Sequence, residues 1–409
     1  MSWKELRTLL HRIFYVLFIF FLIAAVACLP FHKVFAVFPL GLAGIAGLTS
    51  VLLDYPWRHL RQSIPVLTGA LLYVAALLAW WVSTDKATAA DDLRVKLPLL
   101  IMPVIFTLVR PLKEQEWKLL LWLFVIACLA FIGTAIGIAS WKWLTTGYNA
   151  FNYKRLVAFT IIHPAYLGMF INFAICILLT GWLGYKGSIR ASTTFTFLAV
   201  AVFFIFLMML TAKNAVLFAL IAALVTAYIY ARRTGQLVRA AWISSAALII
   251  FIVFLLVNPY TRERFSMLYR FNDVSYDNSV NSREETWRSA TQLMQTMPWY
   301  GVGSGEVQTL LNERHTANSF ELGVEEQHNA HNQYFQTLLE SGIPGLLLLL
   351  IVLGYGFYSA RRSRQSLYTA FLLLFCFSIL TESMLETQNG ILFFSVFNAL
   401  FLMRRAAQA

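Results

Sequence analysis

Charged side chains are scarce in this sequence: they make up 13% of its 409 residues, whereas 59% are hydrophobic and the mean hydropathy is +0.67. A soluble domain could not hide that much apolar surface, so the composition excludes one and indicates a polytopic membrane protein. Cysteine is also scarce, and all four cysteines fall in apolar runs. That placement indicates small core residues, without a disulfide framework or a metal-binding spacing.

Apolar runs of about 20 residues, with some shorter, predict an all-α integral membrane protein with about 12 transmembrane helices. Three of the runs are short, so ten or eleven spans remain possible. The predicted spans are 13–30, 34–53, 66–83, 97–109, 119–140, 165–184, 193–210, 214–231, 241–258, 343–359, 367–380 and 391–403.

The net charge of +12 is distributed unevenly along the chain. If the N-terminus is cytoplasmic, the short inner segments hold most of the basic residues and few acids, as the positive-inside rule requires. Because this basic excess is spread over short loops, nucleic acid is not an expected partner. The long segment after the ninth span is then expected in a periplasm-like compartment. Residues 1–29 mimic a secretory signal, but the further spans favour a first transmembrane helix.

A polar segment from Pro259 to about Gln336 interrupts the apolar chain. It suggests a division into spans 1–9 (residues 1–258), a periplasmic loop subdomain with amphipathic helices that carry the active site (259–336), and spans 10–12 (337–409). Ser282 is predicted to cap a helix that Pro298 ends, with Arg283 in its first turn. A second helix is predicted from about Asn329 to the stop at Gly342, with His331 in its first turn.

The end of this segment carries a spaced motif: His331 and Asn332, nine residues, Gly342, two residues, and Gly345. This spacing resembles the signature of the bacterial O-antigen ligases. They belong to a wider group of membrane glycosyltransferases that also holds O-antigen polymerases and protein O-oligosaccharyltransferases. An Arg followed four residues later by an aromatic residue also occurs in this loop of the family, and Arg283 with Trp287 fits that pattern.

The resemblance implies a GT-C-like membrane enzyme that needs no metal or other cofactor. Its implied donor is a glycan on undecaprenyl diphosphate, and its implied acceptor is lipid A-core oligosaccharide. His331 would be the general base, since a mostly neutral imidazole can accept a proton from a sugar hydroxyl. The alternative is a histidine that only bonds its own helix start. Membrane lipids are the other expected partners.

Without a metal, the diphosphate leaving group needs cations to neutralise its developing charge. Arg283 is the first candidate, because a guanidinium binds phosphate oxygens through two donors, and Arg288 is a weaker second. The alternative for Arg283 is an ion pair with Asp277 or Glu284. Lys213 lies between two apolar runs where the ligases are expected to have Arg, and an interfacial lysine is as good an explanation.

Further residues complete the predicted site. Lys154, Arg155 and His163 resemble the basic residue and His-Pro pair that precede a span in the family, although a snorkelling loop explains them equally well. His328, three residues before His331, suggests a metal pair. The outside acids do not cluster around that pair in the sequence, so a metal is not expected. Two acids of the last outer hairpin are predicted to be solvated unless the fold brings them beside His331; they are Glu382 and Glu386.

Two other functions stay open at this stage. A polysaccharide polymerase would use the same donor with a second carrier-linked glycan as acceptor, and the sequence discriminates poorly between the two reactions. A transporter of lipid-linked sugars should place ionisable residues near the bilayer midplane and often has repeated halves. The predicted spans are nearly free of charge and the long polar segment breaks any symmetry, so a transporter is less favoured.

Overall fold

The computed structural model describes residues 2–53, 64–184, 193–210 and 279–406, together with short stretches between 238 and 266. Within these ranges the chain is helical and contains no β-strand, which confirms the predicted all-α class. Lys213 and the predicted span 214–231 lie outside the described residues, as does most of the predicted span 241–258.

Within each described range the helices follow one another with short connections. A 3-10 turn at Ile64–Ala70 leads directly into α3, and a second one at Met384–Glu386 precedes the last helix. The α-helices are α1 (Trp3–Cys28), α2 (Lys33–Leu53), α3 (Leu71–Val82), α4 (Lys86–Lys96), α5 (Pro98–Leu108), α6 (Glu114–Thr146), α7 (Tyr153–Leu156), α8 (Pro164–Gly184), α9 (Thr193–Met209), α10 (Pro259–Ser266), α11 (Ser279–Thr296), α12 (Val307–Ala317), α13 (Glu321–Glu325), α14 (Gln333–Arg362), α15 (Ser366–Ser378) and α16 (Gln388–Ala406).

Six helices of the described part are long and apolar enough to cross a membrane. They are Trp3–Cys28, Val34–Leu53, Ile64–Val82, Glu114–Thr146, Pro164–Gly181 and Gln333–Arg362. Their outward faces are apolar too: Val16 is 64% exposed and Phe38 is 69% exposed. Such residues are stable at a surface that hydrocarbon covers. The chain is therefore a multi-pass membrane protein, while the total of about 12 spans stays a prediction.

The last helix, α16, lies at the centre of the bundle. Every residue from Ile391 to Met403 is buried, as expected for a helix that is apolar on all sides. Its phenylalanines pack edge-on against those of neighbouring helices; the Phe173 and Phe397 rings, for example, have centroids 4.7 Å apart. The helix is thus fixed on all sides, and so is the polar hairpin that precedes it.

The polar segment folds over this bundle with a small apolar core of its own. That core joins α11, α12 and the start of α14 through Ala290, Leu293, Val307, Leu311, Ala330 and Leu339. The predicted helix start at Ser282 is wrong, because α11 already begins at Ser279. Ser282 lies inside the helix, where its hydroxyl is 3.4 Å from His328 Nδ1 and its carbonyl accepts from Thr286. Arg283 therefore does not lie in the first turn.

Gly342 interrupts α14, as predicted from the motif. Its φ of 64° and ψ of −160° break the helix between two straight segments, and a left-handed φ favours glycine. A loop from α11 satisfies the backbone groups that the break leaves unpaired. Val302 N donates to Leu339 O at 2.8 Å, and Ile343 N donates to Trp299 O at 2.9 Å. The break therefore joins the polar segment to the membrane helix.

Candidate active site

His331 precedes α14 in an unusual backbone conformation. Its φ is 43°, in the left-handed region, which costs a non-glycine residue free energy and persists only where the surroundings enforce it. Asn329 Oδ1 accepts a hydrogen bond from His331 N at 3.0 Å. Asn332 is the N-cap, and its side chain accepts from the backbone N–H groups of Tyr334 and Phe335. The helix thus starts at Gln333 and not near Asn329, and His331 lies just outside it.

The imidazole of His331 contacts a buried carboxylate from the last outer hairpin. His331 Nδ1 is 3.2 Å from Glu382 Oε2, and the side chains are 26% and 8% exposed. Burial alone would raise the pKa of Glu382, but the hydrogen bond from His331 and the charge of Arg283 lower it to about 2. An ionised carboxylate only accepts hydrogen bonds, so Nδ1 must carry the proton. The tautomer leaves the lone pair on Nε2, where it can accept a proton from a substrate.

Arg283 completes this group from α11. Its guanidinium lies 2.5 Å from Glu382 Oε1, and its Nε donates to Thr381 O at 3.2 Å. The carboxylate of Glu382 therefore lies between a guanidinium and an imidazole and uses one oxygen for each. We call these three residues the Arg–Glu–His group. Glu382, a residue of the hairpin, is thus an ion-pair partner of Arg283, whereas Asp277 lies outside the described residues.

Two of the other predicted residues approach the group from the loop before α8. Burial lowers the pKa of His163; Glu382 opposes this shift, whereas the charges of Lys154, His331 and Arg283 add to it. These interactions place His163 within electrostatic reach of the Arg–Glu–His group. The two cations Arg283 and Lys154 outnumber the one carboxylate, so the site has a net positive charge, which suits an anionic ligand.

Other predicted residues have different surroundings. Arg155 lies over the Tyr148 ring at 5.6 Å, and Arg288 is 61% exposed and pairs with Glu285 at 3.6 Å. Trp287 packs edge-on against Phe335, with ring centroids 6.3 Å apart. This contact holds α11 against α14.

His328 supports His331 from the side. The two rings meet edge-on at 5.0 Å, and His328 Nε2 is 3.1 Å from Glu326 Oε2. Burial lowers the pKa of His328. Its backbone oxygen lies 3.3 Å from Nε2 of the buried His315. In the described part of the chain, His, Cys, Asp and Glu side chains form no group of three that could hold a metal ion, and metal independence stays a prediction.

Glu382 and Glu386 were predicted to be solvated unless the fold brings them beside His331; Glu382 meets that exception, and for Glu386 the prediction of a solvated acid is wrong. Glu382 is buried beside His331, and Glu386 forms a buried ion pair with Lys96 at 2.8 Å. The sequence offered no local signal for either contact, because His331 and Glu382 are 51 residues apart. Isolated acids in a polar loop are usually exposed. The fold buries these two because cations from other helices face them.

The arrangement resembles the base and its orienting carboxylate in other enzymes that activate a hydroxyl. A carboxylate fixes the tautomer and the ring orientation of a histidine whose side chain is 26% exposed. A guanidinium beside them supplies positive charge. Such a group can remove a proton from a hydroxyl nucleophile while it stabilises a nearby anion.

Residues 198–350 match the family model described as O-antigen ligase. This match supports a domain of the O-antigen ligase superfamily at these residues. No curated protein sequence gives a significant match. The matched range includes Arg283, His331 and Gly342 but ends before Glu382. This match supports ligase- or polymerase-type glycosyl transfer from lipid-linked glycans by a multi-pass membrane protein.

Proposed function

We propose that this protein is an O-antigen ligase that transfers O-antigen polysaccharide from undecaprenyl diphosphate to a hydroxyl of lipid A-core oligosaccharide. The observation that carries the proposal is the Arg–Glu–His group, in which a tautomer-fixed imidazole lies beside a guanidinium at the partly exposed end of a membrane helix. The superfamily match supplies the substrate class. The reaction takes place on the periplasmic face of the inner membrane.

In the proposed reaction, His331 Nε2 accepts the proton of the core sugar hydroxyl as its oxygen attacks the anomeric carbon of the donor. The bond from that carbon to the diphosphate oxygen breaks, and undecaprenyl diphosphate leaves. Attack from the face opposite the leaving group inverts the anomeric configuration. Glu382 stabilises the imidazolium that forms, since the two side chains are already in contact at 3.2 Å.

Cations bind the leaving group in this proposal. Arg283 and Lys154 both bring positive charge within electrostatic reach of His163. Charge that develops on the departing diphosphate is stabilised by such fixed donors without a metal. Lys213 stays a candidate for the same task, and Arg155 and Arg288 are more distant ones.

Transfer by the purified protein in detergent tests the proposal. The donor is undecaprenyl diphosphate-linked glycan, and the acceptor is offered either as lipid A-core or as a second carrier-linked repeat unit. We expect product on lipid A-core, loss of that product in His331→Ala, and normal product in the control His32→Ala. Product only on the carrier-linked unit would establish a polymerase instead, and absence of product on both acceptors would contradict an enzyme.

A further inference from the structure

Lys96, the last residue of α4, is almost completely buried and is surrounded by carboxylates. Its Nζ lies 2.8 Å from Glu340 Oε2, 2.8 Å from Glu386 Oε2 and 3.1 Å from Asp92 Oδ2. Its side chain is 5% exposed. Burial alone would lower the pKa of Lys96, but the carboxylates outweigh this effect and keep the pKa well above its usual range. Lys96 is therefore a charged ammonium in the interior.

Two of the acids that contact Lys96 lie close in the chain to His331 and to Glu382. Glu340 lies on α14, the helix that begins directly after His331 and its neighbour Asn332. Glu386 lies in the 3-10 turn of the hairpin that presents Glu382. One ammonium group thus contacts both elements close to the points where they place the imidazole and the carboxylate.

Gln333 strengthens the same connection. Its Nε2 donates to Glu386 Oε1 at 2.8 Å, and its Oε1 accepts from Leu385 N at 2.6 Å. Its backbone N donates to Ile379 O at 2.8 Å. The first residue of α14 is therefore bound to the hairpin on both sides of Glu382. These contacts therefore fix the position of Gln333, the residue after the N-cap, relative to the hairpin.

The connection depends on the charge of Lys96. One ammonium against three carboxylates gives a formal charge of −2 when all are ionised, and unpaired buried carboxylates repel one another strongly. The pKa of Asp92 is raised, first by burial, and Glu386 raises it further. Without the ammonium, Glu340 and Glu386 would lose the cation that both contact, and they would then repel each other or share a proton. In either case the ion pairs that hold α14 to the hairpin would be lost.

We propose that Lys96 is a positioning residue that holds α14 against the hairpin and thereby keeps His331 Nδ1–H on Glu382. It does not touch the reacting atoms. Its effect on the tautomer of His331 follows from the contacts alone, whereas its effect on turnover rests on the proposed role of His331 as general base.

The imidazole 15N signals of His331 in the full-length, membrane-reconstituted protein test the structural part. The resonance is assigned by its absence in His331→Gln. We expect the Nδ1–H tautomer in the wild type and an increased Nε2–H fraction in Lys96→Met and Glu386→Met. The conservative Lys96→Arg should keep the wild-type signal. Arg94→Met is the matched control, because Arg94 lies on the same helix with a side chain that is 77% exposed.

Glu386→Met keeps the test decisive if Lys96→Met does not fold. It leaves Lys96 with two carboxylates and brings the cluster closer to neutrality, so the fold should persist. An unchanged His331 tautomer in folded Glu386→Met would overturn the proposal. So would an equal change in Arg94→Met.

Turnover gives the second readout. A small misplacement of a catalytic group can cost roughly 10²-fold, so we expect Glu386→Met to lower kcat by about that factor and leave KM nearly unchanged. In Glu382→Gln the contact with His331 is already altered. Adding Glu386→Met to that variant should lower its kcat by less than about threefold, because the effects of coupled sites are not additive. Full additivity would contradict positioning through Glu382. Inactive wild type with the expected tautomer shifts would contradict only the proposed function.

Discussion

Replacing Glu382 by Gln tests the central contact of the site with almost no change in shape. The carboxylate accepts from Arg283 through Oε1 and from His331 through Oε2. Glutamine has only one acceptor oxygen. Because a guanidinium can only donate, that oxygen must face Arg283, and the amide N–H₂ then faces His331 Nδ1. Nδ1 of His331 then becomes an acceptor and the ring proton moves to Nε2. His331 thereby loses the lone pair on Nε2 that would accept the proton of the substrate.

The expected loss follows from this change of tautomer. General base catalysis contributes roughly 10²- to 10⁴-fold, and an amide in place of the orienting carboxylate removes much of it by fixing the wrong tautomer. We expect Glu382→Gln to lower kcat by about 10³-fold within that range, with KM for the donor nearly unchanged, since the cation at Arg283 stays in place.

The assay is transfer of glycan to lipid A-core by purified protein, with initial rates over a range of donor concentrations. Glu285→Gln is the matched control: Glu285 also pairs with an arginine of α11, but that arginine is 61% exposed and the pair lies 3.6 Å apart. It should keep the wild-type kcat. A folded Glu382→Gln variant with a kcat within threefold of the wild type would refute the assignment of Glu382 as the orienting group.

Three further predictions concern neighbouring features. Gly342→Ala should lower the free energy of unfolding by about 3 kcal/mol in thermal unfolding, because a φ of 64° is unfavourable for alanine and its Cβ would collide with the backbone of Trp299 and Tyr300. Gly354→Ala is the control, because Gly354 lies on the same helix with open space around it, and it should not destabilise the protein. Arg283→Lys should lower kcat about tenfold through loss of the planar fork, whereas Arg288→Lys should have little effect. The pKa of Glu382 is about 2 in the folded state, against an ordinary 4.5. Glu382 therefore contributes about 3 kcal/mol to the free energy of unfolding above pH 4.5, and this contribution is lost as the pH falls towards 2. In denaturation measured at several pH values, the free energy of unfolding of Glu382→Gln should fall less steeply with decreasing pH than that of the wild type.

The sequence predicted the features that depend on local spacing. The motif predicted the break at Gly342, because a left-handed glycine leaves a signature within a few residues. The predicted start of the same helix near Asn329 was wrong, since Asn332 is its N-cap. The Arg–aromatic spacing likewise selected Arg283 and Trp287 on α11. The predicted N-terminus of α11 was wrong, because Ser282 uses its hydroxyl for His328 and not for a cap.

The features that the sequence could not predict depend on contacts between distant elements. Lys96 and Glu340 are 244 residues apart, and nothing near either residue indicates the other. Local patterns place acids such as Glu382 and Glu386 in water, since a carboxylate is almost never buried without a partner. Their burial becomes favourable only when the bundle brings Arg283 and Lys96 opposite them. The sequence therefore offered no reason to expect these two ion pairs, while the role of His331 as base stays a prediction.

The segment from His331 to Gly342 has a residue with left-handed φ at each end. Each end is hydrogen-bonded to a different part of the protein. At Gly342 the loop before α12 supplies the missing backbone partners, and at Gln333 the hairpin supplies them. A base must stay within a fraction of an ångström of its working position. A helix fixed only by its membrane portion would transmit every tilt of the span to His331. Because both ends of this segment are bonded to elements outside the span, we expect a tilt of the span to move His331 less than it would move the end of an unbonded helix.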